Sequence, residues 1–362
     1  MAFVIFLLVV LAMVLVFTYT NGFHDAANAI ATVVATKVLT PQQAVIWAAF
    51  WNFVGALGGT AVAKTVGAGL VDTGYVTLVT VLGAMTAGAI WNVTTWYFGL
   101  PTSSSHSLLG GLFGAALASA GSWKVLKWSV TKTDPKTGHV AMDGIYYKVV
   151  VPMISSPIFG FVVGFLIMGL LFLLIRPVRR ALANLLFGKL QLVSSTYMAW
   201  AHGFADGQKT MGIMALAVFA ATQAGQLEHL PSWLQFLHTP KFEIATWNKW
   251  VCGLAMAMGT YIGGWRIIST MGKKLVSLKP VNGFAAETTA ATILLITGRL
   301  GMPVSTTHSI TTAIMGVGCA KRFGALDWVI VERIIWAWVM TIPAAAGIAY
   351  VFVRLLGLFG MH

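Results

Sequence analysis

The chain has 362 residues, of which 58% are hydrophobic and 9% are charged, and its mean hydropathy is +0.82. Soluble domains usually carry about 25% charged residues, so this composition leaves little sequence for a soluble catalytic domain and indicates a membrane protein with several helical crossings. The net charge of +13 does not indicate nucleic-acid binding, because most basic residues lie in short links between apolar segments, where they orient a chain in the bilayer.

Eight apolar runs follow one another along the chain, and they cover residues 2–35, 41–63, 75–120, 145–175, 192–225, 244–265, 281–320 and 328–357. A basic link separates the first four runs from the last four, and the positive-inside rule predicts that it is cytoplasmic. The chain therefore divides into three parts: a first transmembrane repeat (1–175), a cytoplasmic linker (176–190) and a second transmembrane repeat (191–362).

Two motifs occur once in each half of the chain. The sequence GFHD at 22–25 returns as GFAD at 203–206, and GLPTSSSHS at 99–107 returns as GMPVSTTHS at 301–309. Two matches in the same order indicate a duplicated unit. Membrane proteins with duplicated units and interrupted helices are most often secondary transporters.

The runs 75–120 and 281–320 are each too long for one helix, and each is broken by a Gly-x-Pro sequence and a polar cluster. The arm after each break is short for a full crossing, which is typical of a re-entrant hairpin. Each repeat then has three net crossings, and an odd number inverts the second repeat. We therefore predict an all-α polytopic membrane protein made of two inverted repeats with broken helices and re-entrant helical hairpins.

Polar and ionisable residues lie inside the first and fifth apolar runs, where such groups normally line a cavity or a pathway. A carboxylate with amide oxygens can bind a hard cation, and a buried carboxylate can also take up a proton. Gly22 and Gly203 would permit local unwinding that frees carbonyl oxygens as further ligands. The candidate coupling-ion residues are Asn21, Asp25, Asn28, Asp206, Gln208 and Glu287. Two alternatives stay open: Asp206 and Lys209 form a purely structural pair, and Glu287 is a carboxylate at the start of a helix.

The two hydroxyl clusters each follow a proline and precede an apolar arm, which is the pattern of a helix N-terminus. If both N-termini meet near the middle of the bilayer, their unpaired N–H groups make a site for an oxyanion. The candidate substrate-binding residues are Ser103, Ser104, Ser105, Ser305, Thr306, Thr307 and Lys209. Two alternatives stay open: the hydroxyls only cap the helices, and the histidines that follow them (His106, His308) either pack or relay protons.

The charged residues of the apolar runs favour symport. The apolar runs contain three acids and two bases, which together carry a net charge of about −1 with neutral histidines: Asp25, Asp206, Glu287, Lys209 and Arg299. An anion alone would be repelled by this charge. It would need cations or protons to enter with it.

At the segments 21–29, 96–101, 202–210 and 301–308 the sequence resembles the inorganic phosphate transporter family, in particular its bacterial low-affinity members. The resemblance implies import of inorganic phosphate with H⁺ or Na⁺ across the cytoplasmic (inner) membrane by alternating access. It further implies a homodimer, no resident cofactor, and a divalent metal carried with phosphate in many bacterial members. Permeases for sulfate or another tetrahedral oxyanion, and an uncoupled anion channel, remain alternatives.

Carried over by matching positions, the resemblance implies a phosphate site formed by Ser104, Ser105, Thr306 and Thr307. It implies cation sites, including sites for Na⁺, at Asp25, Asn28 and Asp206. The family motif commonly reads Gly-Ala-Asn-Asp, whereas His24 and Ala205 stand at the Asn positions here. This departure favours protons over sodium.

Overall fold

Helices account for nearly all of the secondary structure in the computed structural model, which describes residues 2–133, 140–228 and 230–361. In lipid a spanning segment must satisfy its backbone hydrogen bonds internally, which a helix does. The α-helices are α1 (Ala2–Ala35), α2 (Pro41–Ala56), α3 (Ala61–Lys64), α4 (Leu78–Tyr97), α5 (Ser104–Ala120), α6 (Val151–Ile175), α7 (Arg180–Gln223), α8 (Thr246–Ile262), α9 (Trp265–Ser269), α10 (Pro280–Arg299), α11 (Thr306–Cys319) and α12 (Trp328–Leu358). This confirms the predicted all-α class.

Shorter elements complete the described chain. The π-helical turns are Thr65–Gly69, Tyr146–Val150 and Thr270–Lys274, and the 3₁₀ turns are Thr73–Tyr75, Trp123–Val125, Ser232–Leu237 and Phe323–Ala325. An antiparallel hairpin of β1 (Val130–Thr133) and β2 (Val140–Asp143) pairs Val130 with Asp143. The apolar pattern did not predict this hairpin. The predicted linker is mostly helical, because α7 begins at Arg180.

Four helices of the described chain are long and apolar enough to cross a membrane, and two bent pairs raise this number to six if each pair is one span. The bends are 66° between α2 and the segment that begins with α3, and 58° between α8 and the segment that begins with α9. A glycine pair lies at each bend, at 58–59 and 263–264. The predicted runs 41–63 and 244–265 treated each of these segments as one crossing and missed the bends.

The two halves interlock through equivalent helices. Helices α1 and α5 of the first repeat pack on α8 and α12 of the second, and the equivalent helices α7 and α11 of the second repeat pack on α2 and α6 of the first. Each repeat therefore buries its helices mainly against the other repeat, and the arrangement is unchanged when the repeats are exchanged. This is the packing expected of a duplicated unit that folds as one body.

The predicted unwinding at Gly22 and Gly203 is wrong, because α1 and α7 run without a break through both residues. Both glycines instead allow backbones to touch. A Cβ atom on Gly22 would lie 2.2 Å from the carbonyl oxygen of Met256, and one on Gly203 would lie 2.0 Å from that of Asn52. Small residues at helix crossings permit this approach in membrane proteins.

Both predicted hairpins enter and leave the bundle at one end. In the first hairpin (α4 and α5), Thr80 Oγ1 lies 2.7 Å from Ser119 Oγ, which joins the start of α4 to the end of α5. The second hairpin consists of α10 and α11. The segment before α10 and the segment after α11 are joined, because the Asp327 N–H donates a hydrogen bond to the Leu275 carbonyl at 3.2 Å.

Helix α1 shows that the two hairpins enter from opposite ends. Phe3 and Phe6, at its start, line a cavity with Thr77 at the base of the first hairpin. Near its end, Thr32 Oγ1 donates to Glu287 in the second turn of α10, at 2.6 Å. A helix of 34 residues is about 51 Å long. The hairpin tips meet beside residues 24–28 of α1, between these two contacts.

Candidate functional site

A glycine turn connects the two arms of each hairpin. Gly99 and Gly301 both have φ of +66°, a left-handed conformation that glycine adopts without strain. Each is followed two residues later by a proline, Pro101 and Pro303, which cannot continue a helix. The repeated motif therefore builds the same turn twice.

The first hydroxyl of each cluster caps a helix. Ser103 Oγ accepts a hydrogen bond from the His106 N–H and Ser305 Oγ accepts one from the His308 N–H, both at 3.1 Å. These two serines therefore act as the caps that the sequence left open as an alternative. The rings of His106 and His308 pack edge to face with their centroids 4.7 Å apart, so the two tips are in direct contact.

The next hydroxyls of the second tip face the acidic residues of α1 and α7. Thr306 Oγ1 donates to Asp206 Oδ2 at 3.0 Å, and Thr307 Oγ1 donates to Asp25 Oδ1 at 3.3 Å. Asn28 Nδ2 donates to both threonine hydroxyls, at 3.1 and 3.0 Å. Residues from both repeats, far apart along the chain, thus share one buried network.

Lys209 connects this network to the first tip. Its ammonium donates to Asp206 Oδ1 at 2.5 Å, to the Val304 carbonyl at 2.7 Å, and to Ser105 Oγ. The Asp206–Lys209 pair suggested by their spacing is present. It also touches both hairpins, so it belongs to the central site.

His24 lies between Asp25 and the first tip. Its Nδ1 atom lies 2.8 Å from Asp25 Oδ1 and 3.4 Å from Ser104 Oγ. Its Nε2 atom lies 3.0 Å from Thr95 Oγ1 and 3.3 Å from Thr102 Oγ1. Neither Thr95 nor Thr102 was predicted as a site residue, although Thr102 directly precedes the serine cluster.

Three ligand atoms at the centre could hold one cation. A carboxylate oxygen of Asp25, a ring nitrogen of His202 and a carboxylate oxygen of Asp206 lie within 4.8 Å of one another. Asp25 Oδ2 is buried without a hydrogen-bond partner, and so is Asn21 Oδ1. Buried polar atoms are normally paired, so these two oxygens are available to a ligand.

The buried charge is more negative than the sequence suggested. Arg299 lies exposed at the end of α10, so it does not offset the interior carboxylates. Asp25, Asp206 and Glu287 are buried with Lys209, and three carboxyl groups against one ammonium give a charge of −2 when all three are ionised and the histidines are neutral. The need for an accompanying cation is correspondingly stronger.

Glu287 belongs to a second polar cluster, one helical turn further along α1. It accepts hydrogen bonds from Thr32 Oγ1 at 2.6 Å, from Gln191 Nε2 at 3.0 Å, and from Ser194 Oγ. Three polar side chains therefore surround one fully buried acid. Thr32, Gln191 and Ser194 were missed, although Thr32 follows Asn28 at the spacing that places both on one helix face.

Gln208 lies outside the central network. Its Oε1 atom accepts a hydrogen bond from the Val62 N–H at 3.0 Å, and its Nε2 atom donates to the Phe204 carbonyl at 2.7 Å. Both ends of the amide are therefore used to hold the start of α3. The geometry does not bring this residue to the other predicted coupling-ion residues.

Two hairpins that enter from opposite ends and whose helix N-termini meet beside buried carboxylates are the arrangement of an inverted-repeat membrane transporter. The model of the Phosphate transporter family matches residues 21–349, and the chain belongs to this family.

Similar proteins cover nearly the whole chain. The probable low-affinity inorganic phosphate transporter of Rhizobium meliloti (strain 1021) is 42% identical, over 93% of this chain and 92% of that protein. The protein of the same description from Bacillus subtilis (strain 168) is 38% identical, over 94% and 95%. A solved structure described as the sodium-dependent phosphate transporter has the same fold, with a TM-score of 0.80 and 21% identity, over 98% of this chain and 99% of that one.

Proposed function

We propose that this protein imports inorganic phosphate together with a cation across the cytoplasmic membrane, by alternating access about the central site. The observation that carries the proposal is the meeting of two hydroxyl-bearing helix N-termini with buried carboxylates whose net charge is negative. The helix ends attract an anion and the carboxylates demand a cation, so the two solutes would bind together.

The phosphate ligands in this proposal are Ser104, Ser105, Thr306 and Thr307. They occupy the first turn of α5 and of α11, where backbone N–H groups have no partner within the helix. Together the N–H groups and hydroxyls would replace the water that phosphate loses. A metal–phosphate complex would fit the same site with less charge to neutralise, which is why a divalent metal is proposed as cargo.

The coupling cation would bind at Asp25, with Asn21 and Asn28 beside it. The sodium named for the structural relative and a proton are both candidates. We favour the proton, because His24 contacts Asp25 and three hydroxyls of the first hairpin, a chain of groups that can pass a proton. Glu287, which contacts the same face of α1 from α10 through Thr32, would then serve as a second coupling residue.

The hairpins would act as gates, since they enter from opposite ends and touch at their tips. In this proposal the first and second repeats alternate in opening their own side, and the protein is a homodimer. Apolar side chains such as Leu166, Leu173 and Trp336 are exposed on α6 and α12, where they would face lipid or a second copy.

Uptake of labelled phosphate into proteoliposomes tests the proposal, with Na⁺, pH and Mg²⁺ varied separately. We expect accumulation against a phosphate gradient when a cation gradient is imposed, and weak competition by sulfate, which at neutral pH has no proton to donate to a carboxylate. Equal competition by sulfate would indicate a general oxyanion permease. Phosphate flux that never rises above equilibrium would indicate a channel.

Ser105→Ala and Thr307→Ala should each weaken phosphate affinity more than they change the cation dependence of uptake. Each removes a hydroxyl from a helix N-terminus, and one hydrogen bond to a charged group contributes about 1.5–3 kcal/mol, roughly a tenfold to hundredfold change in affinity. Concentration dependence of uptake measures the effect. Ser119→Ala, at the far end of α5, is the control. Unchanged affinity in both tip variants would place the anion elsewhere.

A further inference from the structure

Lys209 and Asn28 stand at equivalent positions of the two repeats, three residues after Asp206 and Asp25 respectively. The two halves of the site therefore differ in charge at one matched position. Lys209 is only 1% exposed, and such burial is costly for an ammonium group unless its environment replaces water.

Protein oxygen atoms take the place of water around the Lys209 ammonium. The ammonium has three N–H donors, and its three acceptors are a carboxylate oxygen of Asp206, the hydroxyl of Ser105 and the carbonyl of Val304. Carboxylate, hydroxyl and carbonyl oxygens are also the ligands that bind a hard metal cation. The ammonium is thus held as a bound cation would be held.

The matching half around Asp25 has no lysine, and its nearest basic group is His24, whose Nδ1 atom lies 2.8 Å from Asp25 Oδ1 and which carries a charge only when protonated. Asn28 is neutral and donates to Thr306 and Thr307, while Asp25 Oδ2 stays buried and unpartnered. In the half around Asp206 both carboxylate oxygens are engaged, Oδ1 by Lys209 and Oδ2 by Thr306. The half around Asp206 therefore holds a fixed positive charge, whereas the half around Asp25 has none unless His24 is protonated.

We propose that Lys209 is a tethered cation that fills one of two equivalent cation positions, so that only the half around Asp25 takes up a mobile coupling cation. This rests on the proposed function and adds to it a residue that sets how many cations accompany each phosphate. A carrier with asparagine at this position would need one more cation per transport cycle.

The test replaces Lys209 with the residue of its repeat partner, as Lys209→Asn. Equilibrium binding of labelled phosphate is measured while Na⁺ is varied at fixed pH and while pH is varied at fixed Na⁺. We expect K209N to bind phosphate poorly at low cation concentration and to recover as cation is added. The plot of log affinity against log cation concentration should be steeper than that of the unmodified protein by about one.

Two further variants keep the proposal falsifiable if K209N folds poorly. Lys209→Arg keeps the charge, and K209N combined with Asp206→Asn removes the buried pair together, a change that buried ion pairs tolerate better than loss of one partner. Both should show the slope of the unmodified protein. Elution as a single species in detergent and an unchanged melting temperature identify the folded variants.

The outcomes separate the two levels of the proposal. Failure of the unmodified protein to bind and accumulate phosphate would refute the proposed function itself. If the unmodified protein transports phosphate but K209N weakens binding equally at every cation concentration, Lys209 is a direct phosphate ligand and the tethered-cation role is wrong. The same conclusion follows if the double variant is steeper than the unmodified protein.

Discussion

Asp25→Asn and Asp206→Asn should each reduce gradient-driven phosphate uptake to the level of protein-free liposomes. Asp25 carries the one buried carboxylate oxygen at the centre that no protein group satisfies, so its neutral variant has no charge with which to bind the mobile cation. Asp206 balances the Lys209 ammonium at 2.5 Å. Its neutral variant leaves that ammonium uncompensated, and phosphate would then bind without its cation.

Asp327→Asn is the matched control for both variants. Asp327 is also a single aspartate, but it caps the start of α12, where its side chain accepts hydrogen bonds from the Val329 and Ile330 N–H groups. Asparagine caps helices as well as aspartate does, so uptake should be unchanged. Full driven uptake by D25N or D206N would remove that carboxylate from the mechanism.

Gly203→Ala should lower the free energy of unfolding by roughly 1–3 kcal/mol, the usual cost of overpacking, or prevent folding altogether. The added methyl group would lie 2.0 Å from the carbonyl oxygen of Asn52 and within 3 Å of two more atoms of that backbone. Backbone atoms cannot turn aside as a side chain can. Helices α2 and α7 would have to separate where the central site is assembled.

Gly188→Ala is the control on the same helix. A Cβ atom there meets nothing within 4 Å. Alanine is the better helix former by about 1 kcal/mol, so this change should leave stability unchanged or raise it slightly. Both variants are heated in detergent, and the loss of the single-species elution peak with temperature gives their melting temperatures. Equal melting temperatures for G203A and G188A would show that the close contact of α2 and α7 does not limit stability.

The motif repeats predicted much of the site because each carries its own local structure. A glycine with positive φ, a proline and a run of hydroxyls form a turn and a helix N-terminus wherever they occur, so both hairpin tips were visible in the sequence. The same reasoning failed at Gly22 and Gly203. A glycine inside an apolar helix permits either unwinding or close packing, and the choice depends on what lies opposite.

Partners from distant segments could not be predicted from local pattern. Thr32 and Ser194 lie within predicted apolar runs and Gln191 directly precedes one, yet only the crossing of α1, α7 and α10 brings them to Glu287. Gln208 shows the converse case. It sits two residues from Asp206, but the helix turns its amide toward Val62 instead of the central site.

Composition, duplication and hydroxyl-bearing breaks determined by themselves that the chain is a duplicated helical membrane protein with two re-entrant hairpins. These properties follow from hydrophobicity and backbone geometry, which act over a few residues. Only the tertiary structure decided that the tips touch, that Arg299 lies outside the buried charge, and that Lys209 fills one half of the site while Asp25 is left with a free oxygen. Those outcomes depend on which helices cross and at what depth, because electrostatic and hydrogen-bonding partners are set by distance in space.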